Sequence, residues 1–153
     1  MTDATGQPAQ ATPPNAGPRK PTLLVVDDNR IIFTFVQKAF CGKNSVKIDV
    51  LYAANGKQGI KLLRELKPDL VLLDWAMPDY NGDYFLKAQA EEPLLARVPV
   101  LVYSAKNDKT VATAPQRYPV VKELVAKPCP PSKLNEIVVR HLKSAGLVQQ
   151  KEA

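Results

Sequence analysis

Four strand-like runs in this chain each end on a charged or reactive residue. "TLLVVDD" ends on Asp27 and Asp28, "DLVLLD" on Asp74, "PVLVYS" on Ser104 and "VVKELVAK" on Lys127, with Pro128 directly after it. In an open parallel sheet the loops at the carboxyl ends of the strands share one edge, and ligands bind there. Residues scattered from position 27 to position 127 are therefore expected in a single cleft. Carboxylates so crowded repel one another unless a cation or a proton lies between them. A hard divalent ion such as Mg2+ suits that place, because it takes carboxylate and carbonyl oxygens.

The intervening sequence supports such a sheet. Leu23 to Asp27 is a short apolar run with β-branched residues, as a buried strand requires. Asn29 opens a helix through about Phe40, with Ile32, Phe33, Val36 and Phe40 on one face. Gly42 is expected to close it. Lys47 to Tyr52 alternates as a second strand. Asn55 and Gly56 lead into a helix carrying Ile60, Leu63 and Leu66, ended by Pro68. Leu70 to Leu73 is continuously apolar, as in a central parallel strand. A third helix runs from Gly82 to about Ala90, and a fourth strand from Val98 to Tyr103. Pro115 and Pro119 should confine the fourth helix to little beyond Asp108 to Ala114, since proline is poorly tolerated inside a helix. Glu123 to Ala126 forms the fifth strand, and Pro131 opens a last helix through about Lys143, ended by Gly146. Strands alternating with helices predict parallel βαβ units with right-handed crossovers.

Composition closes off other classes. The chain has 153 residues, one domain's worth, and its 45% hydrophobic content is enough for a core. No apolar run is long enough to cross a membrane. Residues 1–20 lack the apolar stretch of a secretory signal and read as a disordered leader before a domain over 21–144, with 145–153 as a short polar tail. Cys41 and Cys129 form no metal or disulfide pattern, which fits reduced thiols in the cytoplasm. The net charge of +6 is spread without a basic run or interleaved aromatics, so an acidic protein surface suits the chain as a partner better than nucleic acid does. His141, the sole histidine, lies in "VVRHLK" on the last helix and reads as a packing or surface residue.

"VVDDN", "LLDWAMPDYNG", "VYSAK" and "VAKP" resemble, in order and spacing, the four signature stretches of the response-regulator receiver domain. The resemblance runs from about Leu23 to Leu142. It implies a flavodoxin-like α/β fold, doubly wound, with five parallel strands in the order 2-1-3-4-5 and helices on both faces. It implies a phosphoryl group passing from a phosphohistidine, on a sensor histidine kinase or a phosphotransfer protein, onto Asp74. A carboxylate can act as such a nucleophile. Asp28, with Asp27 through water, would hold Mg2+ against Asp74, and the Ala76 backbone carbonyl would be a further ligand. Lys127 would pair with one phosphoryl oxygen and the Ser104 hydroxyl would donate to another. The Lys127–Pro128 bond is expected to be cis. The output would be a switched affinity for a downstream protein, with no turnover of an external substrate.

Two positions depart from the family pattern. Where many receivers carry a switching aromatic on the fifth strand, this chain has Leu124, which leaves Tyr103, Tyr118 or neither to replace it. The proline-rich fourth helix makes the usual output face irregular. An alternative is therefore an adaptor of the same fold that binds its partner without phosphorylation. A phosphatase of the haloacid-dehalogenase type needs a second carboxylate two residues after its nucleophile, and Ala76 in that place cannot transfer a proton.

Overall fold

The computed structural model describes residues 20–43, 45–105 and 108–148. The expected leader, apart from Lys20, and the tail beyond Val148 lie outside these residues. The elements are β1 (Thr22–Val26), α1 (Arg30–Ala39), β2 (Asp49–Ala53), α2 (Gly56–Leu66), β3 (Leu70–Asp74), α3 (Gly82–Ala90), a 3-10 turn (Leu95–Arg97), β4 (Val100–Ala105), a second 3-10 turn (Lys109–Val111), α4 (Ala114–Arg117), β5 (Val121–Lys127) and α5 (Pro131–Ser144). All paired strands are parallel, in the order β2-β1-β3-β4-β5. This is the expected doubly wound sheet.

The period-2 alternation of the strands builds two cores. Leu24, Val26, Val71, Leu73, Val100 and Val102 pack with Ile60 and Leu63 of α2 and Phe85 and Leu86 of α3. Leu23, Val25, Leu70, Leu72, Leu101 and Val125 pack with Val36 of α1 and Leu134, Ile137 and Leu142 of α5. Successive side chains of a strand point to opposite faces, so strands covered on both sides read as unbroken apolar runs.

Three asparagines start three helices. The side chains of Asn29, Asn55 and Asn81 accept from the backbone N–H groups of Ile31, Gln58 and Tyr84, respectively, satisfying donors that a first turn leaves open. Each of these helices follows the carboxyl end of a strand, so the caps also fix where the site loops stop.

The fourth helix differs from expectation. The segment from Asp108 to Ala114 forms a 3-10 turn over Lys109–Val111, and α4 itself is Ala114–Arg117. Pro115 lies in the first turn of α4, where its missing N–H costs nothing. It therefore starts the helix instead of cutting it, and Pro119 follows just beyond its C-cap Tyr118. Gly42 does not close α1 either. The helix ends at Ala39, with the Phe40 N–H bonded to the carbonyl of Gln37 and the Cys41 N–H to that of Lys38. Smaller shifts affect the strands: β2 starts at Asp49, β4 at Val100, and β5 extends from Val121 to Lys127. The Leu95–Arg97 turn adds to the expected elements; buried Gln89 fixes it by donating to the carbonyls of Leu95 and Val98.

Candidate functional site

Parallel pairing brings the strand ends to one edge. Asp74 is opposite Tyr103 in register, Ser104 opposite Ala126 and Ala105 opposite Lys127. Asp27 extends the end of β1 and donates its backbone N–H to the carbonyl of Ala53 at 3.0 Å. Ser104 is buried on the same rim, one residue past the register partner of Asp74.

Carboxylate oxygens of Asp27, Asp28 and Asp74 all lie within 4.8 Å of one another. Asp27 and Asp74 are 1% and 6% exposed, whereas Asp28 is open to solvent. The Lys127 ammonium enters the cluster from β5. Its Nζ lies 3.1 Å from Asp74 Oδ1 and 3.4 Å from Asp27 Oδ2. The other oxygen of Asp27 accepts from the Asn29 N–H at 2.8 Å. Both oxygens of Asp27 are thus engaged by the protein.

One ammonium does not balance three carboxylates. Burial pushes the Asp74 carboxyl above its ordinary pKa; Lys127 pulls it back and Asp28 raises it further. Burial also raises Asp27, opposed by the Asn29 amide, reinforced by Asp74 and opposed again by Lys127. Burial disfavours the charge of Lys127, but the two carboxylates outweigh it and hold the ammonium above its ordinary value. The surplus of hard, negative oxygens is the donor set a divalent ion of the Mg2+ kind takes.

The loop after Asp74 is tightly framed. Gly82 donates its N–H to the Trp75 carbonyl at 3.0 Å, closing the turn that contains Ala76, which is exposed. A Cβ on Gly82 would meet Trp75 Cε3 at 2.7 Å, so no larger residue fits without movement. Gly56 of α2 donates to the Tyr80 carbonyl at 2.6 Å, and a Cβ there would meet that oxygen at 2.3 Å. Tyr80 itself has a left-handed φ of 50°. The Lys127–Pro128 bond is cis, as the resemblance implied.

Several contacts of the site had no signal in the sequence. Trp75, 6% exposed, donates its indole N–H to Thr110 Oγ1 at 2.8 Å, and that hydroxyl donates to Asp108 Oδ1 at 2.6 Å. Asp83 Oδ1 accepts from Arg117 Nη1 and from the Tyr118 hydroxyl, both at 3.1 Å. Lys127 Nζ lies 5.1 Å from the Tyr103 ring centroid. Arg30 stands over the rings of Phe33 and Tyr52. His141 does not merely pack: its Nε2 is 2.9 Å from Glu123 Oε1. Leu124 is 38% exposed on β5, while Tyr103 is buried and the Tyr118 hydroxyl is held by Asp83.

The chain is similar to several known proteins. A family model described as the response regulator receiver domain matches residues 23–139. The nitrate/nitrite response regulator protein NarL of Escherichia coli strain K12 is 37% identical over 97 residues, 63% of this chain and 44% of NarL. The chain thus spans less than half of that relative's length. Protein PilH of Pseudomonas aeruginosa is 32% identical over 88 residues, 58% of this chain and 70% of PilH. Among solved structures, the phosphorylated cyanobacterial phytochrome response regulator RcpA is 26% identical with a TM-score of 0.64, covering 82% of this chain and 93% of that one. The receiver domain of Francisella response regulator 1452 is 25% identical with a TM-score of 0.69, covering 82% and 99%.

Proposed function

We propose that this chain, which belongs to the response regulator receiver domain family, accepts a phosphoryl group on Asp74 and thereby changes its affinity for a partner protein. The observation that carries the reading is the convergence of Asp27, Asp28 and Asp74 with Lys127 at the carboxyl edge of the sheet. The donor would be a phosphohistidine on a sensor histidine kinase or a phosphotransfer protein.

The chemistry is an in-line transfer. An oxygen of the Asp74 carboxylate attacks phosphorus, and a new O–P bond forms as the P–N bond to the donor imidazole breaks. The electron pair stays on the imidazole nitrogen, which takes up a proton. Such transfers ask the protein mainly for positioning and charge stabilisation. Asp74 ends the buried central strand, so its carboxylate is held still. Lys127 already touches it at 3.1 Å and is placed to follow an oxygen of the arriving phosphoryl group. Ser104, on the neighbouring strand, offers a hydroxyl to another. Asp28, Asp74 and the Ala76 carbonyl would hold Mg2+, with Asp27 acting through water because its own oxygens are engaged. When bound, that ion supplies neutralising charge to the phosphoryl oxygens.

The test is incubation with Mg2+ and acetyl phosphate or phosphoramidate, followed by intact-mass measurement. One phosphoryl adduct is expected, absent without Mg2+ and absent in Asp74→Asn. No adduct on the wild type would overturn the reading in favour of a phosphorylation-independent adaptor.

A further inference from the structure

Arg30 sits where a helix least favours it. It is the first residue of α1, and that first turn holds no acidic side chain. A cation at a helix N-terminus opposes the macrodipole, so helix formation does not account for it. Its guanidinium is nevertheless held in place. Cζ lies 5.1 Å from the Tyr52 ring centroid and 5.8 Å from that of Phe33, and the two rings are themselves 5.2 Å apart. Stacking on aromatic faces holds an arginine while leaving its N–H fork open for anions.

The location is the rim of the carboxylate cluster. Arg30 follows Asp28 by two positions, and Tyr52 precedes Ala53, whose carbonyl receives the Asp27 N–H. Among the described residues no carboxylate comes within ion-pair distance of Arg30. Lys127, by contrast, is committed to Asp27 and Asp74. An incoming phosphoryl donor brings negative charge toward three carboxylates. The inner ammonium is occupied, and the outer guanidinium is not.

We propose that Arg30 is the docking cation for the anionic phosphoryl donor, fixed at the rim by Phe33 and Tyr52 and meeting the phosphoryl oxygens before transfer to Asp74. The inference rests on the receiver reading above. It concerns acyl phosphates and phosphoimidazoles alike, because both present the same dianionic group.

The experiment measures the rate of phosphorylation by acetyl phosphate at several ionic strengths, with Mg2+ affinity determined separately by calorimetry. Arg30→Gln should slow transfer by about threefold to tenfold, the range one rim charge commands, and flatten the dependence on salt. It should also tighten Mg2+ binding, since a like charge has been removed. Arg30→Lys should keep most of the salt dependence. Tyr52→Leu, which frees the guanidinium, should slow transfer to an intermediate rate but have no further effect once Arg30 is Gln. If Arg30→Gln matches the wild type in rate and salt dependence, this inference fails and the receiver reading stands, whatever its melting temperature. If the wild type takes no phosphoryl mass at all, both fall. Should Arg30→Gln fail to fold, Arg30→Lys and Tyr52→Leu carry the test: wild-type rates and salt dependence in both would overturn the role of the held guanidinium.

Discussion

Trp75 and Thr110 are joined by a 2.8 Å hydrogen bond that spans 35 residues of sequence. The indole belongs to the residue after the proposed nucleophile. The hydroxyl belongs to the turn after β4, and Asp108 anchors it through both its hydroxyl and its backbone N–H. The site loop and the segment leading to α4 therefore share a side-chain link.

The sole tryptophan should report on this link. Mg2+ adds two positive charges near the ring, and phosphorylation adds about −1.5 to −2. Saturable quenching of emission by Mg2+ is expected, followed by a second change on adding acetyl phosphate. Asp74→Asn should remove the second change, and Asp28→Ala should weaken the first. Thr110→Val should alter the emission of the free protein while leaving the Mg2+ affinity near that of the wild type. A flat response to saturating Mg2+, with binding verified by calorimetry, would detach the indole from the site.

Asp74→Asn should stabilise the metal-free protein at neutral pH. The folded pKa of Asp74 is raised, chiefly by burial. A raised carboxyl costs the fold stability wherever the group is ionised, and that cost disappears once pH falls below the unfolded value of about 4. The Asn variant should therefore melt about 2–6 °C higher at pH 7, with the gain closing near pH 4. Mg2+ should raise the melting temperature of the wild type more than that of Asn. A variant that melts lower at pH 7 without metal would show that Lys127 already compensates the cluster.

Asp28 and Asp27 should not be equivalent. Asn29 and Lys127 occupy both oxygens of Asp27. Asp28→Ala is expected to weaken Mg2+ affinity more than Asp27→Ala, as read by calorimetric titration. Equal losses would place both carboxylates directly on the ion.

Glu123 should show the opposite pH behaviour to Asp74. Burial disfavours its charge, but His141 and Arg140 outweigh this and lower its pKa. Arg140 Nη1 lies 3.1 Å from Oε1, and His141 Nε2 lies 2.9 Å from the same oxygen. A depressed carboxyl lends stability above its unfolded pKa and loses it as pH falls through the folded one. Glu123→Gln should thus cost about 1 kcal/mol at pH 7, a modest figure for a partly solvated pair. Denaturant melts should show the difference closing below about pH 4. A cost that persists at low pH would mean packing, and not charge, holds β5 to α5.

Asp27, Asp28, Asp74, Ser104 and Lys127 could be read from sequence because each ends an apolar run, and parallel strands bring such ends together. The asparagine starts of α1 and α2 were equally legible, since a cap acts within three residues of its own position, whereas Asn81 reads from sequence only as a turn residue. The short α4 was not. Pro115 reads as a breaker unless its place in the first turn is known, and that place depends on where the chain leaves the preceding 3-10 turn. Trp75 with Thr110, and Asp83 with Arg117 and Tyr118, meet only through the fold. No local periodicity encodes such pairs.

The position of β3 has a kinetic consequence. It is paired on both flanks, by β1 and by β4, and all five of its residues are buried. Its amides should be among the last to exchange with deuterated solvent. The stretch from Asp108 to Arg117 holds a single 3-10 turn and one helical turn, secured to the rest partly by the side chains of Trp75 and Asp83. Its amides should exchange early. The chemistry proposed at Asp74 would thus fall on a strand expected to open late, beside a segment expected to open early.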